Sequence, residues 1–237
     1  VVAPRDQFSG AGRSMPSTSD GLINTQQMQV NGKSWTVYSV GGTPAQAVLH
    51  AICEILPRKP DLVVSGINYG ENLGIGITVS GTVGAAMEAA GMGIPALAAS
   101  LETDQAHHLS YSMDVDFTTA AYFTLLFSRR LVQRRLPRDV DLLKVDVPCD
   151  ATMDTPWVIT RLARHTYFEP VRPQRTSWDQ PERVGYRAIA DFSQFDHNSD
   201  VYAMRVLRQV AVVPLSLDLT ARVDLDEMAQ QLGEERE

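Results

Sequence analysis

The chain has 237 residues, 44% hydrophobic and 21% charged, enough for one substantial core and few for two full domains. Its net charge of −7, with no basic run, excludes the electrostatic footprint of a protein that binds nucleic-acid polymers. Two cysteines without a CxxC spacing exclude a disulfide scaffold and make a reducing cytosol the default compartment; no stretch reads as a signal peptide or approaches the roughly 18 apolar residues of a membrane span.

In chain order, Val1-Val2-Ala3-Pro4 has the character of a short strand closed by proline. In a parallel α/β fold this leaves an opening strand and helix, roughly 30 residues, expected ahead of Val1. Arg5 to Pro16 is a polar loop, in which Ser9 alone reads as a turn serine. Ser17 to Gly32 has little apolar periodicity, with a turn at Asn31-Gly32 between extended segments, and Trp35 to Val40 alternates as a strand. Gly32-Lys33-Ser34 is no Walker motif: Gln27 stands where its leading glycine belongs, and the segment runs into that strand. Thr43-Pro44 supplies a cap and a first-turn proline. Ala47, Val48, Ala51, Ile52 and Ile55 then recur at helical spacing, which leaves His50 and Cys53 to packing.

Pro60 to Ser100 is the stretch around which the rest is organised. It predicts a strand at Leu62 to Ser65, a glycine-rich loop, a helix from Thr82 to about Ala90 ended by Gly91, and a strand at Pro95 to Ala99. The functional edge of such a parallel βαβ unit is where strands end and helices begin. The loop Gly66 to Gly76 holds four glycines in eleven residues, so backbone can approach a ligand closely, while Asn68, Glu71 and Asn72 can coordinate a hard cation or contact phosphate oxygens. Ser80-Gly81-Thr82 adds capping hydroxyls and the N–H groups of a helix start, which favour an anion. Together they suggest a phosphate site beside a metal. On spacing alone, a loop that merely turns the chain is the alternative. Gly74-Ile75-Gly76 does not continue into the GxGxxG pattern of dinucleotide binding.

Leu101 to Asp114 is polar, and its adjacent His107 and His108 cannot face one way as a zinc pair. Asp116 is expected to cap a helix from Phe117 to about Leu136, whose Arg129, Arg130, Arg134 and Arg135 suit a solvated C-terminal end. Asp141 to Val147 is a strand stopped by Pro148, in which Lys144 and Asp146 carry no assigned role. Trp157 to Leu162 and Tyr186 to Ala190 read as strands flanking a long proline- and arginine-rich excursion. Asn198-Ser199-Asp200 opens a short helix through Leu207, with Asp200 as its N-cap. A strand at Val210 to Val213, a helix at Val223 to Leu232 and a charged tail, Gly233 to Glu237, complete the chain. The expected architecture is a three-layer α/β domain with a mostly parallel sheet over residues 1–150, and a C-terminal extension of strands and helix over 151–237.

Several of these segments resemble the motifs of a known family. Ser65-Gly66-Ile67-Asn68, Gly70-Glu71-Asn72-Leu73-Gly74, Ser80-Gly81-Thr82-Val83 and Gly93-Ile94-Pro95-Ala96-Leu97-Ala98 are similar to core motifs of the SurE survival protein family. Val1-Val2-Ala3-Pro4 with Ser9-Gly10, Gly42-Thr43-Pro44-Ala45, Asn198-Ser199-Asp200 and Val213-Pro214-Leu215 extend the resemblance over nearly the whole chain. The resemblance implies a metal-dependent acid phosphatase hydrolysing nucleoside 5'- and 3'-monophosphates with Mg²⁺ or Mn²⁺. It implies Ser9 and Asn68 as metal ligands and Ser80, Gly81 and Thr82 at the substrate phosphate, with Gly70 and Asn72 as further loop contacts. It also implies a C-terminal hairpin and helix exchanged between subunits of a homodimer or homotetramer. One departure is serious: the family's opening Asn-Asp-Asp-Gly, whose aspartates hold the metal, has no counterpart in this sequence, so the chain reads as N-terminally truncated. The alternative expectation is a catalytically impaired nucleotide-binding or interaction subunit; a nucleotide-sugar or dinucleotide enzyme on a similar sheet is a third.

Overall fold

The computed structural model describes residues 1–104, 107, 114–134 and 136–233. The expectations for His108, Arg135 and the tail beyond residue 233 lie outside the described residues. Strand β1 (Val2–Pro4) pairs in parallel with β3 (Lys33–Val40), which pairs antiparallel with β2 (Ile23–Val30). Asn31 and Gly32, with φ of 50° and 74°, make the two-residue turn between β2 and β3. Helix α1 (Pro44–His50) opens on the expected cap: the Thr43 hydroxyl accepts the Gln46 N–H, and the Gln46 side chain accepts the Thr43 N–H. It runs on into a wider turn, Ala51–Ile55.

The central sheet has the order β4-β5-β6-β10-β7, built from β4 (Val63–Tyr69), β5 (Ala96–Leu101), β6 (Leu142–Val147), β10 (Val210–Leu215) and β7 (Trp157–Ile159). All neighbours are parallel except β10, which runs antiparallel to β6. Every residue of β5 and β6 is buried, and the period-2 alternation decides which helix each side chain meets. Ala96, Ala98 and Leu142 pack with Val83, Ala86 and Ala89 of α2 (Gly81–Gly91) on one face. Leu97, Leu101, Val145 and Val147 pack with Phe123, Phe127 and Leu131 of α3 (Thr118–Gln133) on the other. This is the expected three-layer αβα arrangement.

Some expectations are corrected. Gly91 is the last residue of α2, and the left-handed turn falls at Gly93, with φ of 70°. Helix α3 starts one residue later than expected: Asp116 accepts the Thr118 N–H at 2.8 Å from before the helix, and Phe117 is the N-cap. β7 and β10, from beyond residue 150, share the central sheet with β4 to β6. Outside the sheet, β8 (Phe168–Val171) and β9 (Gly185–Ala188) form an antiparallel hairpin carrying the excursion between them. A short α4 (Asp200–Arg205) precedes β10, and α5 (Leu225–Gly233) buries none of its residues.

The loop carrying Ser9 is held against α2. Gly12 N–H donates to the Val79 carbonyl at 2.9 Å, Arg13 pairs with Glu88 at 2.7 Å, and the Thr43 hydroxyl donates to the Ser14 carbonyl at 2.8 Å. A Cβ on Gly84 would stand 2.3 Å from the Gly12 carbonyl oxygen, where no flexible side chain can yield. Gly84→Ala should therefore destabilise the fold by about 1–3 kcal/mol, against the roughly 1 kcal/mol that alanine gains over glycine inside an open helix. A urea titration decides it: an unchanged or raised midpoint would show that the loop is not seated on α2 as described.

Candidate active site

The carboxyl end of β4, the loop that follows it and the start of α2 surround a cleft of about 530 Å³. Ser9, Asn68, Gly70, Asn72, Ser80, Gly81 and Thr82, separated widely in sequence, all line it. The Asn68 amide nitrogen donates to the carbonyls of Tyr69 (3.1 Å) and Gly70 (2.7 Å), which fixes the direction of its oxygen; that oxygen accepts from the Thr82 hydroxyl at 3.2 Å. The Ser80 hydroxyl caps α2 by accepting the Val83 N–H, which leaves its proton to donate to a ligand. The N–H groups of Gly81 and Thr82, in the first turn, have no acceptor within the helix. Gly81 also admits the neighbouring loop: a Cβ there would lie 3.3 Å from the Phe8 carbonyl and 3.0 Å from Pro44.

Gly70 and Asn72, both in the lining of the cleft, are also tied to the sheet beneath it: the Gly70 N–H donates to the Leu101 carbonyl at 2.8 Å. Asn72 Nδ2 donates to Ser100 Oγ at 2.8 Å, and its backbone is bound to a charged network beneath the cleft. Lys144, Asp146 and Asp200 are each fully buried there, with side-chain exposures of 0%. Lys144 Nζ donates to both carboxylates, reaching Asp200 at 3.1 Å, and to the Asn72 carbonyl at 2.7 Å. Asp146 accepts the Asn72 N–H at 2.7 Å, and Asp200 accepts those of Gly74, Ala163 and Val201 at 3.0, 3.0 and 2.9 Å. All three protons of the ammonium are thus used, and both carboxylates gain backbone donors, the condition under which a buried ion pair is tolerated. Burial pushes the Asp146 carboxyl up to about 6 against the pull of Lys144. Burial works against the Lys144 ammonium too, but the two carboxylates outweigh it and hold its pKa above the ordinary value.

This network overturns one expectation and fills a gap. Ser199, not Asp200, is the N-cap of α4, its hydroxyl accepting the Tyr202 N–H. Lys144 and Asp146 had no assigned role, although a signal was present: two opposite charges at i and i+2 in an otherwise apolar strand share one face and seldom stay buried unless paired.

A second anchor joins the loop to the hairpin. Tyr167 donates its phenol to Glu71 Oε1 at 2.8 Å, while Glu71 Oε2 is buried with no protein partner. Burial and the facing Glu71 carboxylate both raise the Tyr167 pKa, so the phenol stays protonated and able to donate. Further along the sheet edge, Glu102, Cys149 and Asp150 bring ligand-type atoms within 4.8 Å of one another. Arg205 and Arg208 already neutralise Glu102, and Arg208 also pairs with Asp150. Burial would raise the Glu102 pKa, yet the Arg208 hydrogen bond, the Cys149 N–H and the two guanidiniums hold it below the ordinary value. That cluster is an arginine-saturated brace, in keeping with Arg130, which stacks over Trp157 at 4.7 Å rather than reaching the cleft.

A mainly parallel sheet whose carboxyl edge opens into a cleft defines an α/β protein, and the amide, hydroxyl and helix-start donors lining that cleft are groups of the kind that favour an anion. Comparison with known proteins makes this specific: the family model described as Survival protein SurE matches residues 1–169, and the chain belongs to the SurE family. It is 42% identical over 234 residues to a protein of Thermococcus gammatolerans named 5'-nucleotidase SurE, covering 98% of this chain and 85% of that one. A protein of the same name from Methanocaldococcus jannaschii is 37% identical, again with 98% and 85% covered. The crystal structure of the SurE protein from Aquifex aeolicus superposes with a TM-score of 0.72 at 27% identity, covering 98% of this chain and 88% of that one.

Proposed function

We propose that this protein is a nucleotidase that hydrolyses nucleoside 5'-monophosphates, and 3'-monophosphates, to nucleoside and phosphate. One observation carries the reading: Ser9, Asn68 and the Ser80-Gly81-Thr82 helix start meet in one cleft, in a chain whose relatives are named 5'-nucleotidase. The N–H groups of Gly81 and Thr82 and the Ser80 proton would hold the phosphoryl oxygens, preorganised for the charge that grows on them during transfer. Asn68 Oδ1 and the Ser9 hydroxyl are hard oxygen donors of the type that Mg²⁺ and Mn²⁺ take, and the two carbonyls that hold the Asn68 amide nitrogen keep its oxygen available. Bound there, the cation would polarise the phosphoryl group. Both donors are neutral; the resemblance expects the anionic ligands from Asn-Asp-Asp-Gly, which these 237 residues do not contain.

One observation favours a second reading, a nucleotide-binding subunit without turnover. Among the described residues lining the cleft the sole carboxylate is Glu71, and it is engaged by Tyr167. Phosphate release from a nucleoside monophosphate, measured with and without Mn²⁺, separates the two: metal-dependent release supports the nucleotidase, and binding without release supports the alternative. Assembly through the C-terminal part belongs to the same proposal, supported by Leu225, Met228 and Leu232 standing exposed on α5. Both cysteines are free and exposed. No helix among the described residues is long and apolar enough to cross a membrane.

A further inference from the structure

From the composition of the cleft we infer that the aromatic pair Phe168 and Tyr186, presented by the β8–β9 hairpin, is the seat of the substrate's planar base. The inference rests on the nucleotidase reading and deepens it. A cleft of about 530 Å³ falls within the roughly 300–1,000 Å³ of small-molecule sites, and a phosphoryl group held by Asn68 and the start of α2 occupies only its polar end. What remains is bounded by Phe168, Tyr186, Val79 and Leu73, a predominantly apolar wall suited to the leaving group.

Three contacts present that wall as a rigid surface. Phe168 and Tyr186 meet edge to face, centroids 5.3 Å apart and planes at 78°, so each ring limits the tilt of the other. They sit on facing strands whose register pairs Phe168 with Ala188 and Pro170 with Tyr186. At the root of the hairpin, Tyr167 accepts the Ile189 N–H through its carbonyl at 3.0 Å and donates its phenol to Glu71 of the glycine-rich loop. The loop that lines the phosphate end therefore also anchors the aromatic end, and the distance between them is built in. Tyr186 is 44% exposed, open enough for a ligand to stack on it. Every base has a π-face, so such a surface tolerates many bases while discriminating against sugar phosphates that lack one. Glu71 acts here as a positioning residue.

The test compares Tyr186→Ala with the parent chain on two ligands, adenosine 5'-monophosphate and ribose 5-phosphate, in which a hydroxyl takes the place of the base. The ratio of kcat/KM for the nucleotide to that for the sugar phosphate should fall roughly 5- to 150-fold, the range that aromatic-to-alanine changes produce at base-stacking sites. Tyr186→Trp should restore it, an outcome that a merely structural role for the ring would not produce. A loss equal on both substrates, or none on the nucleotide, overturns the inference. Calorimetric binding of the same two ligands is read alongside. If the parent chain turns over neither, weaker nucleotide binding in Tyr186→Ala upholds the aromatic seat while the hydrolase reading fails, and unchanged binding rejects the seat itself.

Discussion

Replacing Lys144 by methionine should cost the fold about 3–5 kcal/mol, the loss seen when one partner of a buried ion pair is removed. The change conserves length and approximate volume, so the packing term stays below roughly 1.5 kcal/mol. What dominates is charge: Asp146 and Asp200, both fully buried, would face each other without the ammonium between them, and the Asn72 carbonyl would lose its donor. The deficit should also depend on pH. In the parent chain the Asp146 carboxyl is raised to about 6, so it binds its proton more tightly folded than unfolded. Its contribution is fully present below about pH 4 and is lost as pH rises through about 6. Without the lysine the Asp146 carboxyl loses the pull that opposes its burial, and the gap between variant and parent should widen from pH 4 to pH 7. Urea titrations at the two pH values measure this; a gap under about 1 kcal/mol at pH 7, with unchanged slope, would contradict the buried pair. Adding Asp200→Asn to the variant should recover part of the loss, because one uncompensated charge is then removed.

Asn68→Ala should reduce turnover of a nucleoside monophosphate by about 10²–10³-fold, the size of effect expected when one preorganised group at the reacting centre is deleted. The Mn²⁺ concentration giving half-maximal rate should rise with it. Stability should fall by no more than about 1–3 kcal/mol, since the amide satisfies two carbonyls in a partly exposed position. Turnover within a few-fold of the parent and an unaltered Mn²⁺ profile would remove Asn68 from the site. A collapse of the melting transition would instead recast it as a structural residue.

Much of the fold could be read locally. The Thr43-Pro44 start, the Asn31-Gly32 turn and the Ser80 cap each depend on neighbours within four positions, and each stands where the spacing predicts. The strands of the central sheet were visible as apolar runs, but their order was not, because β10 enters between β6 and β7 through pairing that no local pattern encodes. The same limit divides the site. The glycines, amides and hydroxyls of its lining are short-range signals and were legible; the roles of Lys144 and Asp200 depend on partners distant in sequence. Glu71 and Tyr167 form one hydrogen bond across 96 positions, a pairing that residue types alone do not specify.

The hydrogen bond from Gly74 to Asp200 spans 126 positions, and that separation bears on how the protein is made. During synthesis the glycine-rich segment leaves the ribosome long before its Asp200 counterpart, so this last anchor of the segment closes only after Lys144, Asp146 and Tyr167 have supplied theirs. The cleft is therefore among the last features to mature, and a polypeptide interrupted before residue 200 would carry the recognisable motifs without the carboxylate that completes the platform beneath them.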